Sequence, residues 1–227
     1  MSDVATARAL LESLGDFGAH FTGDDVAHLE VHGNEVVGAH LVPGLDVDVT
    51  QLADGIEAHI RLHEGVRIAN PVHLCFGMLP TDGLQHIVMK VDVEADCDAR
   101  STLEMITRII ARGHDTVTIR ETGRLNGEGA RAVLQSYLAL RDDARAEVYN
   151  TLTASAPYAR GHVDCKEIVQ DRAVARAVPI VEVSHPLAHI THEAAIGSVD
   201  SKQLQTLMSR GLTEDEATDL IIEGLLS

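Results

Sequence analysis

Residues 55 to 63 read GIEAHIRLH, in which Ile56, Ala58, Ile60 and Leu62 alternate with Glu57, His59, Arg61 and His63. Successive side chains of a strand point to opposite faces, so a period of two marks a strand with one apolar and one polar side. The pattern recurs in Val72, Leu74, Phe76 and Met78, and again in Ile87, Met89, Val91 and Val93. Each run is short and bounded by turn formers: Glu64-Gly65, Asn70-Pro71, Asp82-Gly83, Gly113-His114-Asp115 and Asn126-Gly127. Many short strands at near-regular spacing mean a sandwich, a barrel or a β-solenoid. No strict repeat motif chooses among them. Residues 101 to 112 pull two ways: Ser101 with Glu104 matches a capping box, while Ile106, Thr107, Ile109 and Ile110 favour a strand. The strand is the reading adopted.

Helical signals sit at the two ends. Ala7, Leu10, Leu11 and Leu14 lie on one stripe that Gly15 stops. Near the other end Ser201 is placed to cap a helix with the apolar face Leu204, Leu207 and Met208, ended by Gly211. Thr213 and Glu216 then form a capping box ahead of Leu220, Ile221 and Leu225. The two C-terminal helices either pack on the body or offer a face to a partner. With no linker or low-complexity stretch, residues 1–227 read as one domain: a helix over 1–15, a β core over 28–199 and a helical segment over 200–227.

The charge balance narrows the partners. In 227 residues, 35 acidic against 18 basic side chains leave a formal charge of −17, which repels phosphate and makes nucleic acid and anionic membranes poor partners. No cationic and apolar leader opens the sequence, and no window reaches the ~18 apolar residues of a membrane span, so a cytoplasmic protein is expected. Cys75, Cys97 and Cys165 are odd in number and widely spaced, with no CxxC pair, which argues against a disulfide framework or a zinc finger.

Residues able to do chemistry cluster late in the chain. His20, His28, His32, His40, His59, His63, His73, His86 and His114 are scattered on polar faces or turns and read as solvated. Between 162 and 193, however, lie His162, Cys165, His185, His189, His192 and Glu193. A thiolate with imidazole and carboxylate can hold iron or zinc. Spacing does not decide it, because His189 and His192 differ by an odd number and point to opposite faces of a strand. Cys97 follows the apolar parity and reads as core, and Cys75 shares the polar face of its run. Cys165 is flanked by Lys166, and a nearby cation lowers a thiol's pKa. A hydrolytic pair of Cys165 with His162 is opposed by H-x-x-C, which sets the two on opposite faces.

Four stretches carry a resemblance: LNGEGA (125–130), HVDCKEIV (162–169), PIVEVSHPLAHITHEAAIGSVDSKQL (179–204) and LMSRGLTEDEATDLIIEGLL (207–226). Together they resemble the SufB/SufD family of iron–sulfur cluster assembly scaffolds. The resemblance implies a mainly β fold, a right-handed parallel β-helix (a β-solenoid) between helical ends. It implies dimers formed through that core and C-terminal helices, here Leu204, Leu207, Met208 and Leu220, that receive an ABC-type ATPase. The SufB type carries a cysteine in the motif matched by Cys165 and a His-Glu pair in the motif matched by His192 and Glu193, so this chain resembles the cluster-building kind. Those three residues are the expected metal and cluster ligands, with His162, His185 and His189 at most supporting them. A homodimer would set two copies around a two-fold axis.

The chemistry agrees with such a role. A mixed thiolate, imidazole and carboxylate set holds a cluster less tenaciously than four cysteines, which suits a transient iron–sulfur cargo. No Gly-x4-Gly-Lys-Ser/Thr loop occurs, so ATP hydrolysis is expected of the partner and the chain is not expected to be an enzyme. Two other readings stand beside this one: a SufD-like structural partner of the ATPase that holds no cluster, and an enzyme built on a β-helix groove.

Overall fold

The computed structural model describes residues 27–32, 35–40, 44–63, 65, 72–77 and 88–226. The stripe expected over 1–15 lies outside them. The fold is mainly strand, 59%, and forms a β-solenoid of about 4 turns with two helices near the C-terminus. The β-solenoid expectation therefore holds.

Ten-residue strands make up the solenoid: β6 (Val88–Cys97), β7 (Thr102–Ala111), β8 (Thr116–Leu125), β9 (Arg131–Leu140), β10 (Arg145–Ala154), β11 (Arg160–Val169) and β12 (Val174–Val183), then the shorter β13 (His189–Gly197). They alternate between two sheets. One runs β12-β10-β8-β6-β4-β3, ending in β4 (Gly55–Leu62) and β3 (Leu45–Gln51); the other runs β13-β11-β9-β7. Neighbours are parallel except β3 with β4. A separate three-stranded sheet orders β2 (Glu35–His40), β1 (Ala27–His32) and β5 (Val72–Gly77). The stretch from 101 to 112 is the strand β7, as adopted above.

Arg131 lies opposite Arg160, and Arg160 opposite His189, so one coil takes 29 residues. The corners keep that length. Arg100, Gly129 and Tyr158 take positive φ at one corner, and Gly113, Asp142 and Asp171 at the other, each series 29 apart. A non-glycine side chain in that region costs about 1–2 kcal/mol, least for Asp and Asn. Here the aspartates offset it: Asp142 Oδ2 accepts from the Gly113 amide at 2.9 Å, and Asp171 Oδ2 from the Asp142 amide at 3.2 Å. Each coil thus caps a backbone donor of the coil before it.

Between the sheets lie two apolar clusters. One gathers Ile56, Ile60, Met89, Ile119, Leu138 and Val148; the other gathers Cys97, Leu125, Leu134, Leu152, Val163 and Cys165. Cys97 is core, as its parity implies. At the last coil the interior is not closed. Val181 and Val183 on β12 and Ile196 on β13 carry inward parity yet are exposed, Ile196 to 56%.

The C-terminal helices are α1 (Ser201–Met208) and α2 (Glu214–Leu226). Asp200, not Ser201, caps α1, accepting from the Gln203 amide at 2.8 Å. The capping box of α2 forms as read: the Thr213 amide donates to Glu216 at 2.8 Å and the Glu216 amide to Thr213 Oγ1 at 3.3 Å. Ile222 packs on Ala139, Ile110 and Tyr137, on the outer face of β7 and β9. Arg141 clamps this contact, 2.7 Å from Asp215 and 3.1 Å from Asp219. No residue of α1 is buried, and Met208 and Leu220 are exposed. Packing on the body therefore describes α2 but not α1.

Asp142→Ala should lower unfolding stability by about 2 kcal/mol, since it loses the cap on Gly113 and leaves the β-carbon at positive φ without compensation. Asp142→Gly should cost less, because only the cap is lost. Urea melts of the two variants check the order, and equal losses would contradict it.

Candidate functional site

The middle inward position of each solenoid strand forms one row through the register. Thr107 lies beside Ser136, Ser136 beside Cys165, and Cys165 beside Ala194 in one sheet; Glu121, Asn150 and Pro179 follow one another in the other. Five consecutive strands, β7 to β11, therefore place Thr107, Glu121, Ser136, Asn150 and Cys165 inside a largely apolar interior.

These side chains satisfy one another. Glu121 accepts from Thr107 Oγ1, from Asn150 Nδ2, and from Ser136 Oγ at 3.4 Å. Asn150 Nδ2 also reaches Ser136 Oγ at 3.1 Å, and the Cys165 thiol donates to Asn150 Oδ1 at 3.1 Å. Burial pushes the Glu121 carboxyl up to about 7 even though its three donors oppose the shift. Two residues past Cys165 on the same face, Glu167 is only 2% exposed, and neither of its carboxyl oxygens has a hydrogen-bond partner. Its own burial raises it to about 7.

Cys165 is fully buried, and its thiol is pushed up to about 12, first by burial and then by the charges of Glu167, Glu121 and Asp164. The expectation that Lys166 lowers this pKa is corrected by strand geometry. Adjacent residues of a strand face opposite ways, so Lys166 stands on the outer face, 2.9 Å from Asp164 Oδ2 and 5.3 Å from the Tyr137 ring centroid.

The three expected ligands are divided by the sheet. His192 lies beside Val163 and so has inward parity on the open last coil, where it is exposed. Glu193 lies beside Asp164 on the outer face and is exposed too. Among the described residues, no three His, Cys, Asp or Glu side chains gather as a metal-holding group. The other late histidines have separate roles: His162 Nδ1 meets Thr191 Oγ1 at 2.8 Å, His185 Nδ1 accepts from the Leu187 amide at 3.2 Å, and His189 opens β13 exposed.

Of the scattered histidines, His63 pairs with Asp46 at 2.6 Å, His114 stands 3.9 Å from Asp143, and His59 is exposed. The side chains of His28, His32, His40, His73 and Cys75 lie outside the described set, as do His20 and His86. The sequence reading missed the polar row and Glu167. Their signal was a polar residue at the centre of an apolar alternation, as in Leu134-Ser136-Leu138 or Ile119-Glu121.

A family model described as SUF system FeS cluster assembly, SufBD core domain, matches residues 168–225. An iron–sulfur cluster assembly SufBD family protein of Pyrococcus horikoshii is 27% identical over 90% of this chain and 88% of its own length. One of Methanocaldococcus jannaschii is 43% identical over 60% of this chain and 44% of its own. The chain is similar to iron–sulfur cluster assembly proteins of the SufB/SufD family. The iron–sulfur cluster assembly protein SufB of Bacillus subtilis is 33% identical over 30% of this chain and 15% of its own length. The chain thus spans most of the Pyrococcus relative and less than half of the Methanocaldococcus one. The family-model match takes in His192, Glu193 and both helices and starts three residues after Cys165. Among the described residues no helix is long and apolar enough to cross a membrane.

The two raised carboxyls make a pH prediction. Glu121 and Glu167 titrate near 4.5 when exposed and near 7 when folded. Between those values the folded chain holds more protons than the unfolded one, so stability falls as pH rises, by up to about 1.4 kcal/mol per unit for each group, and levels off above 7. Denaturant melts at pH 5 and 7.5 should show the loss. Glu121→Gln should make it shallower, and a variant with the wild-type drop would contradict the assignment.

Proposed function

We propose that this chain is a scaffold of the SufB/SufD kind on which an iron–sulfur cluster is assembled transiently at an interface between two copies. The observation that carries the reading is the position of Cys165. Its thiol ends the polar row one strand below the unclosed end of the solenoid, with His192 exposed on that last coil and Glu193 behind it. One chain does not bring the three together, and a second copy around a two-fold axis supplies another set. The exposed Val181, Val183 and Ile196 support such an interface, since an uncapped solenoid end with apolar inward residues invites a partner.

The C-terminal segment is the docking surface for an ABC-type ATPase in this reading. Leu204, Leu207, Met208 and Leu220 are half-buried or exposed on helices of which only α2 is anchored. Strain applied there passes through Ile222 and Arg141 to β9, the direct neighbour of the strand that carries Cys165. A nucleotide-driven movement of the ATPase can bias the site in this way while the scaffold performs no hydrolysis of its own.

A second reading, a SufD-like partner that docks the ATPase and holds no cluster, is favoured by one fact. A thiol near 12 is a poor ligand until a metal displaces its proton. Anaerobic reconstitution with iron and sulfide separates the two. The scaffold reading expects a brown protein with charge-transfer absorption that Cys165→Ala abolishes. A colourless wild type that still binds the ATPase in a pull-down would establish the SufD-like role instead.

A further inference from the structure

Glu167 has no structural explanation among its neighbours. It shares the inward row of Leu138 and Ile196, is 2% exposed, and both of its oxygens lack a donor. A buried carboxyl without hydrogen bonds costs several kcal/mol unless something offsets it. A methionine of similar length would fill the space without that cost. The group nearest to it in chain and on the same face is the Cys165 thiol, whose pKa Glu167 helps to raise. Asn150 Oδ1 stands 3.1 Å from that sulfur. A soft sulfur and an amide oxygen thus stand together in the interior, with an unpartnered buried carboxyl two residues along the same face of β11.

Resting on the scaffold reading, we propose that Cys165, Glu167 and Asn150 form an interior site for a single divalent transition-metal ion, with Glu167 rather than Glu193 as the carboxylate ligand. A set of one thiolate and two oxygen donors suits borderline ions of the iron, cobalt and zinc kind and disfavours magnesium and calcium. As the ion binds, the Cys165 S–H bond gives its proton to solvent and the sulfur lone pair goes to the metal, with no change of oxidation state. The way in is the open last coil. Ala194 lies beside Cys165 and Pro179 beside Asn150, so a methyl group and a proline ring cover the site from that end. Glu193 cannot serve the same ion from its own chain, because the β11–β13 sheet lies between them.

Anaerobic titration of the full chain with cobalt(II), followed by absorption, tests the assignment. The wild type should take up one ion per chain with a thiolate-to-cobalt charge-transfer band, and Cys165→Ser should lose the band. Glu167→Gln should weaken binding at least tenfold, while Glu193→Gln should stay within twofold of wild type. Glu167→Met is expected to fold at least as stably as wild type and to lose the ion. Glu167→Asp keeps a carboxylate and should retain the band at lower affinity.

Unchanged binding in both Glu167→Gln and Glu167→Met, or a loss confined to Glu193→Gln, would overturn the proposal. So would a wild type with no charge-transfer band. The scaffold reading is judged separately by reconstitution with iron and sulfide. If cobalt binds through Glu167 but no cluster forms, that reading fails and the ion site stands. If clusters form equally on wild type and Glu167→Gln with equal cobalt affinities, the ion site fails and the scaffold stands.

Discussion

The solenoid from β7 onward depends on in-register stacking of a 29-residue coil. Parallel strands that pair without slippage put every residue beside the one a full coil away, so an inward position stays inward along the whole axis. Corner length is part of the same constraint. The positive-φ residues recur with the coil, and Asp142 and Asp171 each bond to the coil before. A one-residue slip would turn the interior outward, and the corner caps work against it.

Stacking also makes the polar row possible. A single buried serine or glutamate in a solenoid would lack partners, but register sets Thr107, Glu121, Ser136, Asn150 and Cys165 within reach of one another. Low local polarity strengthens those bonds and keeps the acidic members protonated to higher pH. The row divides the apolar interior into two clusters and delivers a thiol to the unclosed end. Glu167 breaks the rule that the row obeys, since its neighbours offer it no donor. That violation is the reason to look there for a ligand.

The outer surface is organised by the same sheets. Lys166, Tyr137 and Asp164 form a bonded cluster on the face opposite Cys165. On that face, too, α2 packs on β9 through Ile222 and the Arg141 clamp. The helical segment is therefore coupled to the strands beside the thiol, while α1 stands largely free of the body.

Much was legible without coordinates. Period two in residues such as Ile56, Ala58 and Ile60 marked strands, because parity along a strand is a local property. Thr213 and Glu216 announced the start of α2, because a capping box closes within one turn. Family words around 162–226 pointed to the solenoid. The 29-residue period itself was not seen, although Ala130, Ala159 and Ala188 close successive corners at that spacing. Side-chain identity hardly repeats from coil to coil; what repeats is the backbone.

Local alternation marked runs such as 55–63 and 87–93 as strands with one apolar face, and it put Cys97 in the core. Only the tertiary structure decided which face of each strand meets the interior and which residues meet there. It placed Asn150 against the Cys165 sulfur, left Glu167 without a partner, and set Glu193 on the far side of the sheet from the thiol it was expected to join. The reason is physical: those contacts join residues 14 to 29 apart through register and across two sheets, and no local rule of chain conformation carries that information.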